Sequence, residues 1–318
     1  KSLLNDEGKK VLYPDKEVNS LCPYCGVGCQ TKVYVKDNKI VQIDGRDGPA
    51  NNNKLCVKGR FGYDYIHSEE RLQKPLIRKK GAKKEAIEDY SKLKLEDFFR
   101  EATWEEALAH ASESLIKIYK ENGPNSLCGF GSAKGSNEEA YLFQKLIRTA
   151  FHTNNVDHCT RLCHASSVAA LMECVGSGAV SAPFTAVKDA DCMIVIGARP
   201  TTNHPVAATY FKRAAKDGKK LIIMDPRKQD LSRHAYKHLA FKPGSDVALL
   251  NAIIYTIIEE NLYDKQYVES MTEGFDALKS NIKNFKPENM QKICGIDAES
   301  IRDTARVYAK SSKSIIFW

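Results

Sequence analysis

The sequence predicts an α/β protein in which a small β-rich module precedes parallel, Rossmann-like α/β domains. Three observations carry that expectation. Four of the ten cysteines stand within the first 56 residues, beside a short hairpin pattern. From Thr103 onward, apolar runs of strand length take turns with stretches of helical period. The 318 residues also exceed what one hydrophobic core usually holds, so two or three domains are expected.

Taken in order, Val33, Val35 and Ile40 alternate around Asp37-Asn38, a hairpin that follows the first cysteines and closes a compact module near Tyr65. Arg78 to Arg100 is rich in Lys, Glu and Asp without interleaved aromatics, and reads as a solvated connector rather than a nucleic-acid patch. Thr103-Trp104-Glu105-Glu106 is a capping box, and Leu108, Ala111, Leu115 and Ile118 then fall on one helix face. Buried strands are expected at Ser126 to Phe130, Cys192 to Ile196 and Leu221 to Met224, with helices at Asn137 to Phe151 and Pro205 to Lys216. Further helices are expected from Asp246 to Glu260 and from Glu299 to Ala309. The chain ends on the apolar strand Ser314-Ile315-Ile316-Phe317-Trp318, which reads as the edge of a fragment of a larger multidomain chain.

With 42% hydrophobic and 28% charged residues the chain is not disordered, and no apolar run approaches the ~20 residues of a membrane span. The balance of 48 Lys+Arg against 40 Asp+Glu, +8 overall, is spread along the chain. It suits an anionic ligand or an acidic partner as well as nucleic acid. Ten cysteines at this length point to reduced thiols and a metal site rather than a secreted disulfide framework. Nothing from Lys1 to Ser20 resembles a signal peptide or a twin-arginine signal, so a cytoplasmic location is expected.

Cys22, Cys25 and Cys29 are spaced x2 then x3, and Cys56 follows after 26 residues. Three thiolates on one loop plus a distant fourth suit a cubane [4Fe-4S] cluster, which takes one cysteine per corner. Zinc, more often held by two matched pairs, and unrelated free thiols are the other readings. Lys58, two residues past Cys56, is placed to reach from a cluster towards an anionic cofactor; a surface lysine is the plainer reading. In Asp157-His158-Cys159-Thr160-Arg161-Leu162-Cys163-His164, adjacent sulfur and imidazole groups suit a soft metal ligand with a proton carrier beside it, or a structural cysteine with a satisfied histidine.

Gly197 to Pro205, carrying Thr202 and His204, joins a strand to a helix start, where backbone N–H groups bind phosphate. Asp225-Pro226-Arg227 puts an acid at a strand tip, where dinucleotide folds grip ribose or base. Gly131 to Asn137, with Lys134, and Pro243-Gly244-Ser245-Asp246 are two more candidate ligand loops, each also explicable as turn chemistry. No G-x-G-x-x-G is present, which disfavours an ordinary NAD site.

Cys22-Pro23-Tyr24-Cys25-Gly26-Val27-Gly28-Cys29, Cys56-Val57-Lys58-Gly59, Arg161-Leu162-Cys163-His164, Asp225-Pro226-Arg227 and Lys242-Pro243-Gly244-Ser245-Asp246 occur in the order seen in molybdopterin oxidoreductases, and the set resembles formate dehydrogenase catalytic subunits. The resemblance runs from about Cys22 to Trp318 and favours the functional readings of Cys163 and Lys58. It implies a [4Fe-4S] cluster on Cys22, Cys25, Cys29 and Cys56, and Mo or W held by two molybdopterin guanine dinucleotides with Cys163 as protein ligand. His164 would shuttle a proton and Lys58 would lie on the electron path. Lys134, Thr202, His204, Asp225, Arg227, Gly244 and Asp246 would contact the dinucleotides, although Lys134 and Thr202 differ from residues often found there.

The implied organisation is a cluster module over 1–65 and the first part of an α/β domain with the metal-ligand segment over 66–165. A dinucleotide-binding domain over 166–318 would return at its end to the other α/β domain. The implied reaction is formate to CO₂ or its reverse, with electrons passing to a redox partner subunit carrying iron–sulfur or flavin. Nitrate reductase and formylmethanofuran dehydrogenase are rival readings within the superfamily, the former usually with Met where His164 stands. A non-catalytic, complex I-like iron–sulfur subunit is the rival from another class.

Overall fold

The computed structural model describes residues 13–82 and 94–318. The leader reading at Lys1 to Ser20 and the connector expected at Arg78 to Arg100 each fall partly outside them. The chain forms two compact units, Lys1–Gly62 with Val180–Trp318, and Tyr63–Ala179.

At the N-terminus of the first unit, β1 (Lys16–Leu21), β2 (Gln30–Lys36) and β3 (Lys39–Gly45) make an antiparallel sheet in that order. Asp37 and Asn38 join β2 to β3 with φ of 48° and 57°. Two left-handed central residues match the right-handed twist of a hairpin, and Asp and Asn tolerate that conformation best after glycine. The strand β1 was not legible in the sequence, because all six of its residues are exposed and no apolar alternation marks it. The short helix α1 (Val57–Phe61) starts immediately after Cys56.

In the second unit, β4 (Leu76–Arg78) pairs antiparallel with β5 (Phe99–Glu101), which follows α2 (Leu95–Phe98). Next comes α3 (Trp104–Asn122), whose expected cap is present: Thr103 Oγ1 accepts from the Glu106 N–H at 3.2 Å. The expected strand at Ser126 to Phe130 is shorter and later. Pro124–Ser126 is a 3-10 turn, and β6 (Gly129–Gly131) pairs in parallel with β7 (Val156–His158) across α4 (Asn137–Ala150). A short helix α5 (Thr160–Cys163) leads into α6 (Ala165–Val175). The apolar stripe of α3 is exposed among the described residues, with Leu108 at 63% and Leu115 at 37%.

The rest of the first unit holds β8 (Cys192–Ile196), α7 (Pro200–Asn203), α8 (Pro205–Lys216), β9 (Lys220–Met224) and β10 (Lys237–Leu239). After these come α9 (Asp246–Glu259), α10 (Lys265–Met271), α11 (Phe275–Asn281), α12 (Pro287–Cys294), α13 (Ala298–Lys310) and β11 (Ser314–Phe317). The four strands are parallel in the order β10-β9-β8-β11. The expectation sent the last strand to the other α/β domain; here β11 lies beside β8.

Alternation along each strand divides the core between the two faces of this sheet. Cys192, Ile194, Ile222 and Met224 pack with Leu249 and Ala252 of α9, Met290 of α12 and Ile301 of α13. Met193, Val195, Leu221 and Ile223 pack with Val206, Tyr210 and Phe211 of α8 and with Val27 and Cys29 of the cysteine loop. A strand covered on both faces has no polar side to show, which is why these runs are continuously apolar. The cysteine module therefore shares a core with α8.

Arg302 of α13 ties α9 to α12, bonding Glu259 Oε2 at 2.7 Å and Glu288 Oε1 at 2.9 Å. The bond from Arg302 chiefly holds the Glu259 carboxyl below its ordinary value; for Glu288 its own backbone N–H comes first and Arg302 second. Carboxyls lowered on folding stabilise the protein above their unfolded value of 4.5, and that contribution is lost as pH falls through the lowered folded value. Both partners are about half exposed, which keeps the effect near ~1 kcal/mol. Arg302→Met should lower the urea midpoint at neutral pH, and the gap from the parent should close as pH falls through the lowered carboxyl values. Equal midpoints at neutral pH would remove the bridge from the account. Among the described residues no helix is long and apolar enough to cross a membrane.

Candidate functional site

The cysteine loop is built by its own backbone. The Cys22 N–H donates to the Cys29 carbonyl at 2.9 Å, and the Gly28 N–H to the Cys25 carbonyl at 3.3 Å, so the loop closes back on β2. Gly28 has φ of 66°, a turn for which glycine is the unstrained residue. Cys56 caps α1 from the other side, and a Cβ on Gly59 would stand 3.3 Å from Cys22 Sγ, which shows how closely that helix approaches the loop.

Cys29 is buried, and Cys22, Cys25 and Cys56 are partly so. Burial pushes the Cys29 thiol up to about 12, and Cys22, Cys25 and Cys56 add to the rise. Burial also raises Cys22; a backbone hydrogen bond at Tyr24 opposes this, Cys25 and Cys56 reinforce it, and Lys58 opposes it. Burial and neighbouring sulfurs oppose ionisation of Cys22 and Cys29, and a multiply charged iron core would supply the compensation. The donor set thus fits an iron–sulfur cluster. Among the described residues no three His, Cys, Asp or Glu side chains close on a single metal ion.

Three sequence-predicted residues come together beside this loop. Lys58 Nζ donates to the Thr202 carbonyl at 3.5 Å. His204 Nε2 lies 4.0 Å from where a Cβ on Gly26 would stand. His204 keeps an exposed edge, yet the protein packed around its ring, and then the charge of Lys58, hold the imidazole below its ordinary value, so it is neutral at pH 7. Lys58 therefore reaches from α1, beside the cysteine loop, to the last turn of α7.

The order β10-β9-β8-β11 is that of a doubly wound dinucleotide fold read as 3-2-1-4, in which ligands lie across the carboxyl ends of the strands. Thr202 and His204 follow β8, Asp225 and Arg227 follow β9, and Gly244 and Asp246 follow β10, so parallel pairing sets all six at that one edge. Gly197, with φ of 59°, makes the sharp exit from β8, and Gly244, with φ of 79°, the turn before α9.

Asp225 is oriented through both oxygens: Oδ1 accepts from the Arg227 N–H at 2.8 Å and Oδ2 from Gln229 Nε2 at 3.2 Å. Gln229 Nε2 also donates to the Ala198 carbonyl at 2.9 Å, locking the loop after β8 to the loop after β9. Sequence reasoning missed Gln229; its only signal was a lone amide four residues past Asp225. Gln229 Oε1 and Thr201 Oγ1 are buried without a partner. Such atoms are rare, and two of them at this edge fit a polar nucleotide group there.

In the second unit, Lys134 lines a cavity of about 660 Å³ with Gly131, Ser132, Gly135, Asp157 and His158. The cavity lies at the carboxyl ends of β6 and β7 and at the start of α4, whose Ser136–Glu139 capping box is complete. Asp157 and His158 open the metal-ligand segment. His158 Nδ1 lies 2.6 Å from Thr160 Oγ1, and Arg161 Nε donates to Asp157 Oδ2 at 2.8 Å, both bonds bracing the turn into α5. Cys163 ends α5 and His164 follows it, both exposed, with backbone N–H groups bonded to the Cys159 and Thr160 carbonyls at 3.1 and 2.8 Å. Exposed thiol and imidazole groups on a braced turn are available to a ligand.

The model of the molybdopterin oxidoreductase family matches residues 71–318, and that of the molybdopterin oxidoreductase Fe4S4 domain matches residues 15–68. The chain is 40% identical over 304 residues to the F420-dependent formate dehydrogenase subunit alpha of Methanocaldococcus jannaschii, covering 95% of this chain and 42% of that protein. It is 38% identical over 309 residues to formate dehydrogenase H of Escherichia coli, covering 95% and 41%. Among solved structures, the acetylene hydratase from Pelobacter acetylenicus superposes with a TM-score of 0.80 at 27% identity, over 95% of this chain and 40% of that one. The chain thus spans about two fifths of the length of these relatives.

Proposed function

The chain belongs to the molybdopterin oxidoreductase family and resembles formate dehydrogenase alpha subunits, and from that premise we propose that it forms part of a formate dehydrogenase catalytic subunit. The reaction is the reversible two-electron oxidation of formate to CO₂. The observation that carries this reading is the reach of Lys58 from the cysteine loop to Thr202, which joins a four-thiol site to a dinucleotide edge within one unit. Likeness of fold does not select a reaction, as the acetylene hydratase shows. Support for formate comes instead from the relatives at 38–40% identity and from His164 beside Cys163.

In this reading Cys22, Cys25, Cys29 and Cys56 hold a [4Fe-4S] cluster, and Cys163 is the protein ligand to Mo or W carried by two molybdopterin guanine dinucleotides. When bound, these groups supply a two-electron acceptor and a one-electron relay. Asp225, with both oxygens already oriented, accepts hydrogen bonds from ribose or base, while Arg227 offers its guanidinium to phosphate. Thr202, His204, Gly244 and Asp246 complete the edge, and Lys134 meets an anionic group from the loop after β6. The ammonium of Lys58 stabilises added electron density beside Cys56. His164 takes up the proton that formate releases at its imidazole. Electrons leave to a redox partner subunit carrying iron–sulfur or flavin, and the complex works in the cytoplasm.

The test is formate-dependent reduction of a viologen dye by the anaerobically purified full-length protein, with Mo or W content confirmed beforehand. Dye reduction that depends on formate is the expected result. Silence in a metal-replete sample would discard formate and move the assay to nitrate and formylmethanofuran.

A further inference from the structure

Between the two cysteine-bearing segments stands a side chain that the functional reading does not use. Asn51 is completely buried, at 0% exposure, in a small module whose other interior groups are mostly apolar. Its Oδ1 accepts from the Gln30 N–H at 3.0 Å. Its Nδ2 donates to three carbonyls, those of Gln30 at 3.1 Å, Arg46 at 3.1 Å and Lys54 at 3.0 Å. Three acceptors around one nitrogen determine which end of the amide is which.

The positions of those partners give the side chain its meaning. Gln30 directly follows Cys29, and Lys54 lies two residues before Cys56. One amide therefore ties the three-cysteine loop to the lone fourth cysteine. The surrounding backbone is shaped to admit it: a Cβ on Gly48 would stand 2.7 Å from Asn51 Oδ1 and 2.8 Å from Gln30 Cγ. The Asn51 backbone takes part as well, its N–H donating to the Gly48 carbonyl at 3.2 Å and its carbonyl accepting from the Lys54 N–H at 2.8 Å.

We propose that Asn51 is a positioning residue that sets the separation of Cys29 from Cys56, and through it the occupancy and redox behaviour of the cluster the four thiols hold. The proposal rests on the functional reading above. A cubane core is rigid and takes one thiolate at each corner, so a ligand displaced from its corner weakens retention of the core. The potential of such a cluster follows hydrogen bonding and solvent access around its sulfurs, both of which change when the loop shifts.

Asn51→Asp keeps the size and one acceptor but turns an oxygen towards three carbonyl oxygens, so it breaks the clamp without opening a cavity. Asn51→Ser retains a single donor and is the milder form. Gly48→Ala presses on the same amide from outside. In anaerobically purified full-length protein, Asn51→Asp should retain less than half the iron of the parent, with a broadened EPR signal on reduction and a shifted midpoint potential. Asn51→Ser and Gly48→Ala should fall between it and the parent, with pterin content and far-UV circular dichroism unchanged in all three.

If Asn51→Asp yields no folded protein, the two milder variants decide the matter by the same readouts. Parent-like iron, signal shape and potential in the folded variants would overturn the proposal, as would a loss of thermal stability unaccompanied by spectroscopic change. A parent protein free of iron would instead overturn the functional reading on which the proposal stands.

Discussion

Replacing Cys163 by alanine should abolish formate-dependent dye reduction, by at least ~10³-fold, while leaving the iron content and EPR signal of the cluster intact. The expectation follows from where the thiol sits. Cys163 is exposed at the end of α5, and its backbone is braced by the preceding turn. Among the described residues truncation there removes no packing, so lost activity with an intact cluster signal would not be explained by lost stability. Cys192 is the control. It is fully buried in the β8 core, with its thiol pushed up to about 11, first by burial. Cys192→Ala should lower stability modestly and leave turnover in the folded fraction intact. Full activity in the Cys163 variant would remove the metal-ligand assignment, and with it the role proposed for His164.

Replacing Cys29 by alanine should eliminate the four-iron EPR signal and stop electron delivery to any partner that draws on the cluster. This thiol is the most deeply buried of the four, and the other three raise its pKa further, so it ionises in place only with a compensating positive core. Losing one of four corner ligands leaves an iron without its protein thiolate. Cys294→Ala makes the matching control, since that thiol is buried against α9 and α13 in the opposite layer of the sheet. Its loss should change stability and not iron. Unchanged iron and signal in Cys29→Ala would return the cysteine quartet to unrelated free thiols.

The contrast between the loop cysteines and these core cysteines is visible in the sequence. Cysteines at x2-x3 spacing on a glycine-containing loop stand out from core cysteines by pattern alone, because a loop that wraps a ligand must put its donors at short intervals. Strands β8 and β9 were legible for a related reason: cover on both faces leaves an uninterrupted apolar run. The hairpin turn at Asp37-Asn38 and the N-cap at Thr103 were equally local, although of the box expected at Thr103 only the bond from the Glu106 N–H is present.

What escaped were features whose partners are remote in the chain. β1 has no apolar alternation, and its place comes from pairing with β2. The helices α10, α11 and α12 are short, and α12 owes its place to packing of Met290 and Cys294 against α9. Gln229 and Asn51 are single amides whose importance lies in carbonyls contributed by other segments.

The sequence by itself therefore determined the α/β class and offered the cysteine loop, the Cys163-His164 pair and the strand-end loops as candidates, since the class rests on periods of two or 3.6 and the candidates on short local spacings. Only the tertiary structure decided the strand order β10-β9-β8-β11, the meeting of Lys58 with Thr202, and the two buried amides that join distant loops. Burial is the physical reason. A polar side chain taken out of water must find partners wherever the fold brings them, and neither composition nor spacing records which carbonyls those will be.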